Sequence, residues 1–220
     1  MHIIEGFLPP IWAVFWALVA LPVVVYGARR TLSLIRTDTN TKALVAVAAA
    51  FVFVLSAMKF PSVAGSSSHP TGTGLLVVLF GPAVTAFVST LVLFYQAVLL
   101  AHGGITTLGA NVVSMGIVGP VVGWLAYRLA RQWLTIEQGT FLAATLTDWT
   151  TYLVTSTQLG LAFPAGDDLA GTLSAVVDFA AIFTITQLPI GVLEGLLAAA
   201  MVGYLMRLGT GAREKLGVPT

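Results

Sequence analysis

Apolar runs on the scale of a bilayer succeed one another along almost the whole chain. A spanning helix needs about 20 apolar residues. The segments 10–28, 43–58, 75–100, 110–130 and 172–206 are built mainly from Ala, Val, Leu, Ile and Phe, and 136–159 mixes these with Thr. Charged residues fill only 9% of the 220 positions and hydrophobic ones fill 57%. A soluble domain carries about 25% charged residues, so this chain could not clothe a water-facing surface. The sequence predicts an all-α integral membrane protein, with one membrane domain over 1–220.

The absence of cysteine excludes disulfides, thiolate zinc sites and iron–sulfur clusters. A net charge of +1 gives no basic surface for nucleic acid. No lysine lies between 60 and 214, so no GxxxxGK[ST] nucleotide loop is encoded, and no HExxH helix is present. A cleavable signal peptide opens with a positive segment. Here the first basic residue is Arg29 and Glu5 is the only earlier charge, so the start reads as mature sequence.

Charge bias sets the expected orientation. Arg29, Arg30, Arg36 and Lys42 fall between the first two runs, and positive loops stay in the cytoplasm. The N-terminus is therefore expected outside. The run 75–100 is long enough for one span and too short for two full ones. A single crossing would turn Arg128, Arg131, Arg207, Arg213 and Lys215 outward; a fold-back near Gly81-Pro82 keeps all five inside. The expectation is about seven transmembrane helices, one of them short, with the C-terminus cytoplasmic and a kink at Pro189. The loops 59–74, 101–109 and 163–171 then lie outside.

Histidine is the usual metal ligand where thiols are absent. The chain has three: His2, His69 and His102. A histidine at position two can chelate through the Met1 amine, its own amide nitrogen and its imidazole Nδ1, in five- and six-membered rings. A loop histidine such as His69 could fill the remaining equatorial place. Four nitrogens in a plane suit Ni(II), Cu(II) or low-spin Co(II) and suit zinc or magnesium poorly. The alternative is a histidine at a frayed terminus that binds nothing. His102, beside Gly103-Gly104, reads as an ordinary turn histidine. Asp148, Asp178 and Glu194 fall inside predicted spans, where carboxylates are costly. Each is either satisfied by neighbouring Thr, Tyr and Gln side chains or used in function.

The start MHIIEGFLPP resembles the MHIMEGFLP opening of the CbiM family, the substrate-binding membrane subunits of cobalt energy-coupling-factor (ECF) transporters. The likeness extends through SSSHPTGTGLLVVLFGP (66–82), HGGITTLGANVVSMGIVGP (102–120), QLGLAFPAG (158–166) and QLPIGVLEGLL (187–197). Ile4 stands where the family usually has Met. The sibling nickel family typically begins MHIPDGFL, and the residues His69-Pro70-Thr71-Gly72 match the cobalt pattern better.

The resemblance implies a Co(II) site made of Met1, His2 and His69, with residues 1–9 as a metal-binding tip and 59–74 as an outer metal-binding loop. Ser66, Ser67, Ser68, Thr71 and Asn111 are candidates for supporting contacts. It also implies partners: a small membrane subunit, a transmembrane coupling subunit and a cytoplasmic ATPase. The expected role is substrate capture, without an ATPase site of its own, for an ATP-driven cobalt importer in a prokaryotic cell membrane, serving cobalamin biosynthesis. The alternatives are a nickel importer subunit of the same architecture and a self-sufficient cation permease using the intramembrane carboxylates.

Overall fold

The computed structural model describes residues 2–61 and 67–208. Among them the regular structure is helical apart from a bridge of two-residue strands, Phe60–Pro61 with Ser67–Ser68. Helix α1 (Pro10–Thr37) opens with proline at its first position, where the missing N–H costs nothing. It does not stop at Ala28. The basic segment expected as a loop over 29–42 is helical up to Thr37, because it contains neither glycine nor proline to end the helix. Asp38 breaks the chain there and caps α2 (Thr39–Ala57), accepting from the amides of Asn40 and Thr41 at 3.0 and 2.8 Å.

Helix α3 (Thr73–Leu100) contains one non-helical residue, Gly81, with φ 79° and ψ 171°, followed by Pro82. Only glycine adopts such a conformation readily. A straight helix of 28 residues would hold its ends about 42 Å apart. Yet the rings of His69 and His102, which flank α3, have centroids 5.0 Å apart. The chain therefore turns back at Gly81, as a short segment followed by a longer one.

Helix α4 (Leu108–Asn111) passes through a π-helical stretch, Val112–Val118, into α5 (Gly119–Ala130). Helix α6 (Ile136–Ala162) begins with a capping box between Thr135 and Gln138. Helix α7 (Leu169–Leu208) remains one helix through Pro189.

Among the described residues, five stretches are long and apolar enough to cross a membrane: Pro10–Arg36, Thr39–Ala57, Thr73–Leu100, Leu108–Ala130 and Leu169–Leu208. The α6 helix has 27 residues, long enough to cross, but its Thr, Asp and Gln side chains lower its apolarity. Those side chains point inward: Thr147, Asp148, Thr151, Thr155 and Gln158 are all buried. The α6 helix lies along α7 and α5, while α3 packs against α1, α2, α5 and α6. By contrast α1 and α7 present Ile11, Leu18, Leu21, Val177, Ile185 and Leu193 outward, as helices facing hydrocarbon do.

Candidate metal centre

The N-terminal tip is inserted into the protein. His2 and Ile3 are buried, and Ile3 packs with Leu8, Ala110, Tyr152, Leu159 and Phe183 in a small apolar cluster of its own. Polar contacts fix the tip in register. Asn111 accepts from the Ile3 amide at 2.8 Å and donates to the Ile3 carbonyl at 3.1 Å. Thr107 donates to the same carbonyl at 2.7 Å. Glu5 accepts from the Thr106 amide, and the Gly6 amide donates to the Thr106 hydroxyl. A side chain at Gly104 would run into Glu5, so the tip can lie against the 101–107 loop only because that loop is bare there.

Three imidazoles meet beneath the tip. Ring centroids lie 4.6 Å apart for His2 and His69, and 4.2 Å apart for His2 and His102. One ring nitrogen from each of the three can be chosen so that all lie within 4.8 Å of one another. Nitrogens about 2.0–2.1 Å from a first-row ion are about 3 Å apart at neighbouring positions and about 4 Å apart across it, so the three rings draw closer when an ion is held between them.

The nitrogens are buried, and among the described residues both of His2, both of His102 and Nε2 of His69 lack a hydrogen-bond partner. Buried polar atoms are nearly always paired, so three unpaired imidazoles, each with one nitrogen close to those of the other two, call for a ligand. At His69, Nδ1 lies 2.9 Å from the Pro70 carbonyl. A carbonyl only accepts, so that contact places the proton on Nδ1 and leaves the Nε2 lone pair free, as in metal-bound histidines. Burial holds His2 and His69 well below the ordinary histidine range and lowers His102 to about 3. All three are neutral at physiological pH, the form that ligates a metal.

The His69 segment is held from behind. Tyr152 accepts from the His69 amide at 3.2 Å and donates to its carbonyl at 3.1 Å. Gln187 donates to the same carbonyl at 3.2 Å and to both carboxylate oxygens of Asp148 at 2.8 and 2.7 Å. Glu194 accepts from the Thr71 hydroxyl, the Thr71 amide and the Gly72 amide. Asp148 and Glu194 both lie fully buried behind this segment.

Sequence reasoning reached His2, His69, Thr71 and Asn111, and the structure gathers them. Ser68 is buried and bonded to Thr186 at 2.6 Å, facing α7. Met1 and Ser66 lie outside the described residues, as does the side chain of Ser67. His102 is no plain turn histidine: a reversal at Ala101 (φ 45°), closed by the His102 amide bonding to the Gln96 carbonyl, turns its ring inward. Tyr152, Thr107 and Gln187 were missed. Of the three intramembrane carboxylates, Asp148 and Glu194 are buried behind the centre, whereas Asp178 is exposed on α7.

The fold and this centre define a multi-pass membrane protein with three buried imidazoles gathered under an inserted N-terminal tip. The chain matches the family described as CbiM, cobalt uptake substrate-specific transmembrane region, over residues 2–211, and it belongs to that family. It is 68% identical over 218 residues to a putative cobalt transport protein CbiM of Haloquadratum walsbyi, covering 99% of both chains. It is 52% identical to the cobalt transport protein CbiM of Salmonella typhimurium, covering 94% of this chain and 84% of that one. A crystal structure titled as a truncated transition metal transporter superposes with a TM-score of 0.80 at 26% identity, covering 94% of this chain and 99% of the other. With archaeal and bacterial relatives of this kind, the chain is a multi-pass cell-membrane protein of a prokaryote.

Proposed function

We propose that this chain is the substrate-capture subunit of an ATP-driven importer, and that its cargo is Co(II). The observation that carries the reading is the set of unpaired, buried imidazole nitrogens of His2, His69 and His102. Neutral nitrogen donors suit a borderline first-row ion and suit Mg(II) or Ca(II) poorly. The names of the relatives supply cobalt within that group. Donor chemistry alone ranks Ni(II) and Cu(II) higher, so preference must come from cavity size and metal supply.

His2 and His69 are the proposed imidazole ligands, with the Met1 amine and the His2 amide nitrogen completing a four-nitrogen plane. His102 then stands at a further position beside the ion. Deprotonation of the amine and amide makes affinity rise with pH.

The tip and the loops carrying His69 and His102 form the proposed outer face. Arg29, Arg36, Arg128 and Arg207 sit toward the opposite ends of their helices, which the positive-inside rule assigns to the cytoplasm. Counting α3 as two segments gives seven spans in one membrane domain. Energy would come from a cytoplasmic ATPase through a coupling subunit and a small membrane subunit. Uptake of labelled Co(II) by cells carrying the complete set tests this. Loss of uptake on removing the ATPase or on His69→Ala is expected; uptake that persists without the ATPase would establish a self-sufficient permease instead.

A further inference from the structure

The segment Ser68–Gly72 is laid along one helix. Ser68 bonds to Thr186, the His69 carbonyl to Gln187, and Thr71 and Gly72 to Glu194. Gln187 and Glu194 are seven residues apart on α7 and share one face of it. Two of the donors converging on Glu194 are the successive backbone amides of Thr71 and Gly72, just ahead of α3, whose N-cap is Gly72. With the Thr71 hydroxyl they give a carboxylate with no exposed surface three hydrogen bonds, which is how burial of such a group is offset.

The rival use of Glu194, as a transit site for the cation beside Asp148, fits the geometry poorly. Three donors from the loop already occupy its two oxygens. A saturated carboxylate has little left to offer an ion. What it does hold is the backbone just after His69. That backbone includes the Pro70 carbonyl, which sets the His69 ring through Nδ1 at 2.9 Å. The chain of contact thus runs from Glu194 to Thr71 and Gly72, to Pro70, and to the aim of the His69 Nε2.

We propose that Glu194 is a positioning residue for His69: from the back of the loop it fixes the direction in which His69 presents Nε2 to the cargo ion. The role rests on the reading that His69 is a ligand. A carboxylate is required because all three loop partners are donors. Glutamine would set its own NH2 against one of them, whereas an acceptor-only group satisfies them all.

The test is a visible-absorption titration of the purified full chain with Co(II), in wild type, Glu194→Gln, Thr71→Val, Thr71→Ser and His69→Ala. The Glu194→Gln variant should still bind one Co(II), but about 10- to 100-fold more weakly, with its ligand-field bands displaced. Thr71→Val removes one bond to Glu194 at nearly constant shape. It should lose several-fold in affinity with the same direction of band shift, and Thr71→Ser should restore wild-type behaviour. Wild-type affinity and bands in Glu194→Gln, with His69→Ala inactive, would overturn the positioning role alone. If Glu194→Gln does not fold, Thr71→Val decides: unchanged affinity and bands there overturn the role. Wild-type binding by His69→Ala would overturn the ligand assignment, and this inference with it.

Discussion

Asn111 grips Ile3 on both sides of its backbone, accepting from the amide at 2.8 Å and donating to the carbonyl at 3.1 Å. The residue that follows His2 is thereby pinned to the start of the second half of the bundle. An asparagine is needed because only an amide side chain both accepts and donates in one plane. Replacing Asn111 by alanine leaves the buried Ile3 amide without a partner, at a cost of about 1–3 kcal/mol, while the Ile3 carbonyl keeps its bond from Thr107. The expected outcome is a lower melting temperature in detergent and a Co(II) affinity reduced by about 10- to 100-fold. Calorimetric titration and thermal melts check both.

Gly104 tests the insertion of the tip sterically. A methyl group there collides with Glu5, so Gly104→Ala should push the tip out, and His2 with it, without replacing any histidine. Weakened Co(II) binding with little change in helix content by circular dichroism is the expected result.

The three histidines should not be equivalent. His69→Ala should abolish high-affinity binding. His102→Ala should retain one Co(II) at reduced affinity and shift the ligand-field bands, since its ring lies 4.2 Å from that of His2. Identical titrations of wild type and His102→Ala would make His102 a bystander.

The metal-free protein should lose stability in acid for a definite reason. Burial lowers His102 to about 3 and holds His2 and His69 well below the usual range, while the unfolded chain takes up those protons near pH 6.5. Stability is therefore fully present above about pH 6.5 and falls as the pH drops. The slope approaches about 1.4 kcal/mol per pH unit for each histidine, until the folded form titrates too. Thermal melts of metal-free protein from pH 7.5 to 4 should show this slope, and His102→Ala should flatten it.

The membrane class and most helix positions were legible because apolar runs of spanning length have few other uses. The turn at Gly81 was legible too, since Gly-Pro in an apolar run marks a conformation most residues avoid. The length of α1 was not: a basic segment without helix breakers says which side it lies on, not whether it remains helical. At the centre, His2 stood out by position and His69 by its loop. His102 was hidden because its local sequence describes a turn, and only the return of α3 brings it to the other two. Asp148, Asp178 and Glu194 look alike in sequence, and burial alone separates the pair behind the centre from the exposed Asp178.

The most direct test is metal analysis of the purified chain, loaded with Co(II), with its N-terminal amine free and with that amine blocked by acetylation. The account predicts one tightly held Co(II) per chain in the first case and none in the second, because acetylation takes away the lone pair of the terminal amine. Equal, tight occupancy in both would contradict it.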